Sequence, residues 1–76
     1  MQLKIKLLTG KIMMSNFEED QKIKELKEAI SEREGIHSDQ IKLLYSGKIL
    51  DNETTVKEAK LSPNSLISMV LNLRGG

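Results

Sequence analysis

No cysteine occurs anywhere in this chain, so it has no disulfide framework and no thiolate of its own for nucleophilic or metal chemistry. That usage points to a cytosolic and nuclear setting. Aromatic residues are almost as scarce, with one Tyr, one Phe and no Trp, too few to form a stacking platform for nucleic-acid bases. Charge of one sign is lacking too. Twelve basic residues stand against eleven acidic ones, for a net charge of +1, which provides no electrostatic footprint for nucleic acid or an anionic membrane. There is no long hydrophobic run either. The opening "MQLKIKLLTGK" alternates polar and apolar residues, unlike a signal peptide or a membrane span. One proline, no internal repeat and no low-complexity stretch leave no interdomain linker. At 76 residues there is room for one hydrophobic core and one domain.

What is present is periodicity. Leu3, Ile5 and Leu7 alternate with Gln2, Lys4 and Lys6, the period of a strand with one buried face. "LTGK" supplies a glycine turn, and "KIMMSNF" returns as a second strand with Met13 and Phe17 inward. Over residues 18–35 the period changes. Ile23, Leu26 and Ile30 recur at helical spacing among Lys22, Lys24, Glu25, Glu28 and Glu32, which predicts one amphipathic helix ending at Gly35. Glu18, Glu19 and Asp20 precede it and suit the positive end of the helix dipole.

A third strand follows in "QIKLLYSGK", with Ile41, Leu43 and Tyr45 on one face and a tight turn at Ser46-Gly47. Thr55 and Glu58 have the spacing of a capping box, which predicts a short helical turn over 56–60. Pro63 and Asn64 mark a turn before a final strand at 65–72. The order is β-β-α-β-β, an α+β fold with one helix across a mixed sheet.

A one-helix domain leaves one sheet face uncovered. If Leu43, Ile67 and Met69 point inward, then Leu44 and Val70 point outward, and Leu8 sits exposed at the first hairpin tip. A cluster of these three would mark a partner-binding site. Catalytic signals are weak by comparison. His37 is the only histidine and has no triad or metal set around it, Ser46-Gly47 is no nucleophile elbow, and no glycine-rich loop leads into a helix. The sequence reads as a non-enzyme without cofactor or metal.

The chain closes on "LNLRGG", reached directly from the apolar run "SLISMVLNL" without a polar linker. With "MQ" at the start, "LTGK" at 8–11, "EGI" at 34–36, "DQ" at 39–40, "GK" at 47–48 and "VL" at 70–71, the full chain resembles ubiquitin and its close relatives without a gap. The resemblance implies the β-grasp fold, with a body over 1–72 and a flexible conjugation tail over 73–76. It also implies a monomeric protein modifier. The Gly76 carboxylate would be adenylated by an activating enzyme, passed as a thioester to a conjugating enzyme, joined to a target lysine with a ligase, and released by a deconjugating protease. Leu73, Arg74 and Gly75 would guide the tail, and two residues without Cβ thread a narrow cleft. Four to six extended residues at ~3.3 Å each carry the carboxylate ~13–20 Å from the body. The same resemblance assigns Leu8, Leu44 and Val70 to a recognition face with Ser68 at its polar edge. It also makes Lys48 and Lys11, with Lys6 and Lys27, possible acceptor lysines for chains.

Within the family, ubiquitin carries a basic residue, a histidine, an aromatic and a lysine where this chain has Asn72, Ser68, Lys4 and Pro63. Position 72 is where activating enzymes separate ubiquitin from the cullin modifier called Rub or Nedd, and Asn72 is uncharged. "LKIK" at 3–6, Lys22, Glu28, Glu32, "YSGK" at 45–48, Glu53 and Lys60 look like the Rub or Nedd type, whose targets are cullins. A divergent ubiquitin and a non-conjugated docking domain of the proteasome-shuttle kind, which "IKLLYSGKILDNETTV" also resembles, are the alternatives. Some departures fit neither relative, among them "IHSD" at 36–39 in place of the family's proline pair after the helix. Ser15 falls where a buried apolar residue is expected, so it needs a backbone acceptor or a bulged or shifted strand. Ile12 and Met14 are apolar where polar residues are usual. Ala59 replaces a tyrosine that anchors the 51–60 loop, which implies a looser loop.

Overall fold

In a computed structural model, which describes residues 1–71, the alternating start forms β1 (Gln2–Lys6) and turns back into β2 (Ile12–Asn16). The turn closes through Gly10 N–H donating to the Leu7 carbonyl at 2.9 Å, with Gly10 at φ 89°. That left-handed geometry is what glycine permits without a Cβ clash. Leu3 and Ile5 are fully buried and Leu7 nearly so.

The helix α1 spans Ile23–Glu34 and ends at Gly35, which adopts φ 71° and donates to the Ser31 carbonyl at 2.9 Å. It begins later than the acidic triplet. Glu18, Glu19 and Asp20 lie in the exposed approach, and the acid in the first turn is Glu25, whose carboxylate accepts from the Lys22 N–H at 2.8 Å. This is half of a capping box, since a lysine side chain has no acceptor with which to complete it. Twelve residues at 1.5 Å give a helix about 18 Å long. Its Ile23, Leu26 and Ile30 are wholly buried against the sheet.

One 3₁₀ turn, Ser38–Gln40, leads into β3 (Ile41–Tyr45). His37 has a structural task here, its Nδ1 accepting from the Asp39 N–H at 3.3 Å at the start of that turn. A two-residue strand, β4 (Lys48–Ile49), then pairs antiparallel with β3, and β5 (Leu66–Leu71) completes a five-stranded sheet in the order β2-β1-β5-β3-β4. β4 is absent from the sequence reading because two residues cannot display a period of two. Pairing between β1 and β5 is parallel and the rest antiparallel. This is the β-grasp arrangement, one helix across a mixed sheet.

Of the alternatives open to Ser15, the bulged or shifted strand does not occur. Pairing with β1 runs without interruption from Gln2 opposite Asn16 to Lys6 opposite Ile12. Ser15 stands opposite Leu3 and is only half-buried, and among the described residues no buried side-chain nitrogen or oxygen lacks a partner. The hydroxyl stays within reach of water, so its desolvation is incomplete and the register holds.

The final strand begins at Leu66 rather than Ser65. Ser65 is buried, and its Oγ accepts from the Ser62 N–H at 2.9 Å and donates to the Tyr45 hydroxyl at 3.4 Å. Thr55 and Glu58 form the full reciprocal box: Glu58 N–H donates to Thr55 Oγ1, and Thr55 N–H to Glu58 Oε1, each at 3.0 Å. The segment it starts is the expected single turn over 56–60, with Ala59 N–H bonded to the Thr55 carbonyl at 2.9 Å, and it goes no further because Lys60 at φ 59° ends it. Lys60 N–H bonds to the Lys57 carbonyl and Leu61 N–H to the Val56 carbonyl, the pattern of a helix stop.

Ala59 lines an open groove of about 420 Å³ together with Tyr45, Leu50 and Lys60. The loop is nevertheless tied to the approach of α1 by backbone bonds, Val56 N–H to Gln21, Lys57 N–H to Glu19 and Ile23 N–H to Thr54, at 2.8–3.0 Å. Lys22 adds an ammonium contact to Glu53 at 2.9 Å, and Lys24 lies 3.6 Å from the same carboxylate. Main-chain bonds thus anchor the segment without the large side chain expected at position 59.

Candidate partner-binding face

Side chains alternate across a strand, so inward Leu43, Ile67 and Met69 put Leu44, Ser68 and Val70 on the face away from α1. The register brings them together. Leu44 lies directly opposite Ser68, and Val70, two residues further along β5, lies opposite Lys42. Leu44, Ser68 and Val70 are each half-buried in the sheet surface. Because β1 runs parallel to β5 with Lys6 opposite Ser68, the hairpin tip that follows brings the exposed Leu8 toward the Val70 end. Leu44, Ser68 and Val70 thus share the outer face, and Leu8 lies exposed in the turn that follows β1.

Register also adds members that periodicity alone does not supply. Ile49 of β4 is opposite Leu44 and 62 % exposed, extending the apolar strip to the sheet's edge. Lys6 and Lys42 flank Ser68 and Val70 as their cross-strand neighbours. The sequence signal for Ile49 is its position just beyond the Ser46-Gly47 turn, where a returning strand must begin. Ser46 and Gly47 both have positive φ, 51° and 79°, which tightens that turn enough to pair Tyr45 with Lys48.

The lysines differ in what surrounds them. Lys6, Lys11 and Lys48 are exposed, whereas Lys27 is partly buried and donates from Nζ to Asn52 Oδ1. Burial holds the Lys27 ammonium below the ordinary lysine pKa. Among the described residues no group of three or more His, Asp or Glu side chains is placed to hold a metal ion, and no helix is long and apolar enough to cross a membrane. The positions expected to react or to guide the tail, Asn72, Leu73, Arg74, Gly75 and Gly76, lie outside the described residues.

Fold and face together define a small β-grasp domain that presents an apolar, cation-flanked surface. The ubiquitin family model matches residues 3–74, and the chain belongs to the ubiquitin family. It is 38 % identical over 74 residues to the NEDD8-like protein RUB1 of Saccharomyces cerevisiae, covering 97 % of this chain and 96 % of that protein. Similarity to the ubiquitin-like protein NEDD8 of Dictyostelium discoideum is 36 % over all 76 residues and 99 % of that protein. For the NEDD8-like protein RUB3 of Arabidopsis thaliana it is 38 % over all 76 residues and 97 % of that protein.

Proposed function

We propose that this chain is a protein modifier of the NEDD8-like kind, joined through Gly76 to lysines of cullin-type targets in the cytosol and nucleus. The observation that carries this reading is the end-to-end match to NEDD8-like relatives, which includes both the β-grasp body and the residues that follow it. Supporting it are the uncharged Asn72, the Leu73-Arg74-Gly75-Gly76 motif, and the apolar face of Leu8, Leu44 and Val70.

The chemistry belongs to partner enzymes. An activating enzyme converts the Gly76 carboxylate to an acyl adenylate with release of pyrophosphate from ATP, and a cysteine thiolate then displaces AMP. The thioester moves to a conjugating enzyme, and the target's lysine amine displaces the thiolate to leave an isopeptide bond. A ligase aligns these partners, and a deconjugating protease reverses the bond. This chain contributes a reach of tail, a cleft-sized pair of glycines and a face by which each enzyme recognises it.

The test is a reconstituted reaction with activating enzyme, conjugating enzyme, ligase and a cullin, using this chain as the only modifier. Trypsin cuts after Arg74, so a conjugated cullin lysine should carry a Gly75-Gly76 remnant in the mass spectrum. Unmodified cullin lysines alongside an active control modifier would overturn the proposal.

A further inference from the structure

The sheet's outer face has a charge character of its own. None of the eleven acidic residues lies on any strand, and the charged side chains that β1 and β3 direct outward are Lys4, Lys6 and Lys42. Away from the Leu44 end, this face carries three more exposed apolar residues, Ile12 at 50 %, Met14 at 46 % and Leu66 at 46 %. Met14 is opposite Lys4, and Lys4 is opposite Leu66, so two apolar side chains bracket an ammonium in one row across β2, β1 and β5.

β2 is also an edge strand, with β1 as its one neighbour. Met1 and Phe17 exchange backbone bonds in both directions, at 2.7 and 2.8 Å, and Leu7 N–H bonds to Lys11 at 2.8 Å. The antiparallel alternation then assigns the groups of Met13 and Ser15 to β1 and turns those of Ile12, Met14 and Asn16 out to solvent. The usual protections of such an edge are missing. Ile12–Phe17 contains no charge and no proline, and its register has no bulge. The opposite edge, β4, is by contrast only two residues long and begins with a lysine.

We propose that the β2 edge takes up an extended, acidic and apolar segment of a partner protein as a sixth strand. Main-chain bonds would run to Ile12, Met14 and Asn16, apolar side chains of the segment would lie beside Ile12 and Met14, and its carboxylates would face the lysine row. Lys4 and Lys6 stand about two strand spacings, ~10 Å, from the incoming backbone, a gap that a lysine and a glutamate side chain together span. Charge complementarity selects this occupant over a second copy. Copies paired at β2 would meet with the same lysine-bearing face and no strand carboxylate to answer it, over an interface only five residues long.

The site is independent of the tail chemistry and can be tested on the isotopically labelled chain by amide spectroscopy. The probes are a short peptide with valine and glutamate taking turns at every second position and threonine between them, which puts both on one face of the added strand (the Glu-Val peptide), and its counterpart with lysine for glutamate (the Lys-Val peptide). The Glu-Val peptide should shift and protect the amides of Ile12, Met14 and Asn16 more than those of Met13 and Ser15, and should bind at least tenfold more tightly than the Lys-Val peptide. Met14→Glu should weaken it by a similar factor while the spectrum elsewhere keeps its dispersion. Four outcomes would overturn the proposal: no shift at millimolar Glu-Val peptide, equal binding of both peptides, shifts centred on Leu44 and Val70, or edge amides that move with the chain's own concentration. The last would give the edge to a second copy.

Discussion

Lys60 shows how much of this fold turns on single backbone angles. Its φ of 59° closes the turn begun by Thr55 and Glu58, in a region where an L-residue with a Cβ is disfavoured by about 1–2 kcal/mol. Lys60→Gly removes that strain at the expense of glycine's greater freedom when unfolded. A net gain of about 0.5–1 kcal/mol in urea unfolding is expected. No gain would mean that the lysine stem makes compensating contacts. The same scale explains what the sequence concealed. Spacing reveals the Thr55–Glu58 box, but no pattern announces that a lysine will adopt a left-handed angle and stop the turn. Ser15 was legible as an anomaly and its resolution was not, because partial exposure is a property of the assembled hairpin.

Among the elements, β1 and α1 were the most legible, since each repeats its period several times and buries one face completely. Leu3, Ile5, Ile23, Leu26 and Ile30 are all at 0 % exposure. β4 and the 3₁₀ turn were too short to show any period, and the acids before α1 sit too far ahead of its first turn to cap it. The electrostatics that join elements sit at the approach to α1. The Glu25 carboxyl is held below its ordinary pKa first by the Lys22 N–H, Glu58 first by the Thr55 N–H, and Glu53 first by the Lys22 ammonium, which is itself raised by that contact. A carboxylate whose pKa is lower folded than unfolded adds stability above the unfolded value of about 4.3, and that contribution disappears as pH falls through the lower folded value. Stability should therefore hold from neutrality to about pH 5 and fall below about 4.3. Replacing Glu25, Glu53 and Glu58 together by Gln should flatten that fall. An unchanged acid slope in the triple variant would remove these three groups from the account.

For the whole molecule, the candidate recognition face depends on register. Leu44 and Val70 could be assigned to one face from alternation, Leu8 from its place at the hairpin tip and Ser68 from the family resemblance, but the partnership of Leu44 with Ser68 and Ile49 is fixed by the pairing of β3 with β5 and β4. Leu44 is half-buried, so Leu44→Ala should leave the fold intact. It should weaken binding to the cullin modifier's deconjugating protease about tenfold or more, measured by calorimetry, if this side chain anchors the interface. Unchanged binding would move the interface elsewhere on the sheet.

The central claim, that Gly76 enters the NEDD8-like conjugation route, is most directly tested by charging. The purified chain, ATP and magnesium are incubated with either the cullin-modifier activating enzyme or the ubiquitin one, and a thioester sensitive to reductant is scored on a gel. The account predicts a thioester with the first enzyme and little with the second, and Asn72→Arg should shift charging toward the second through the added charge. A thioester with the ubiquitin enzyme alone, or with neither, would contradict it.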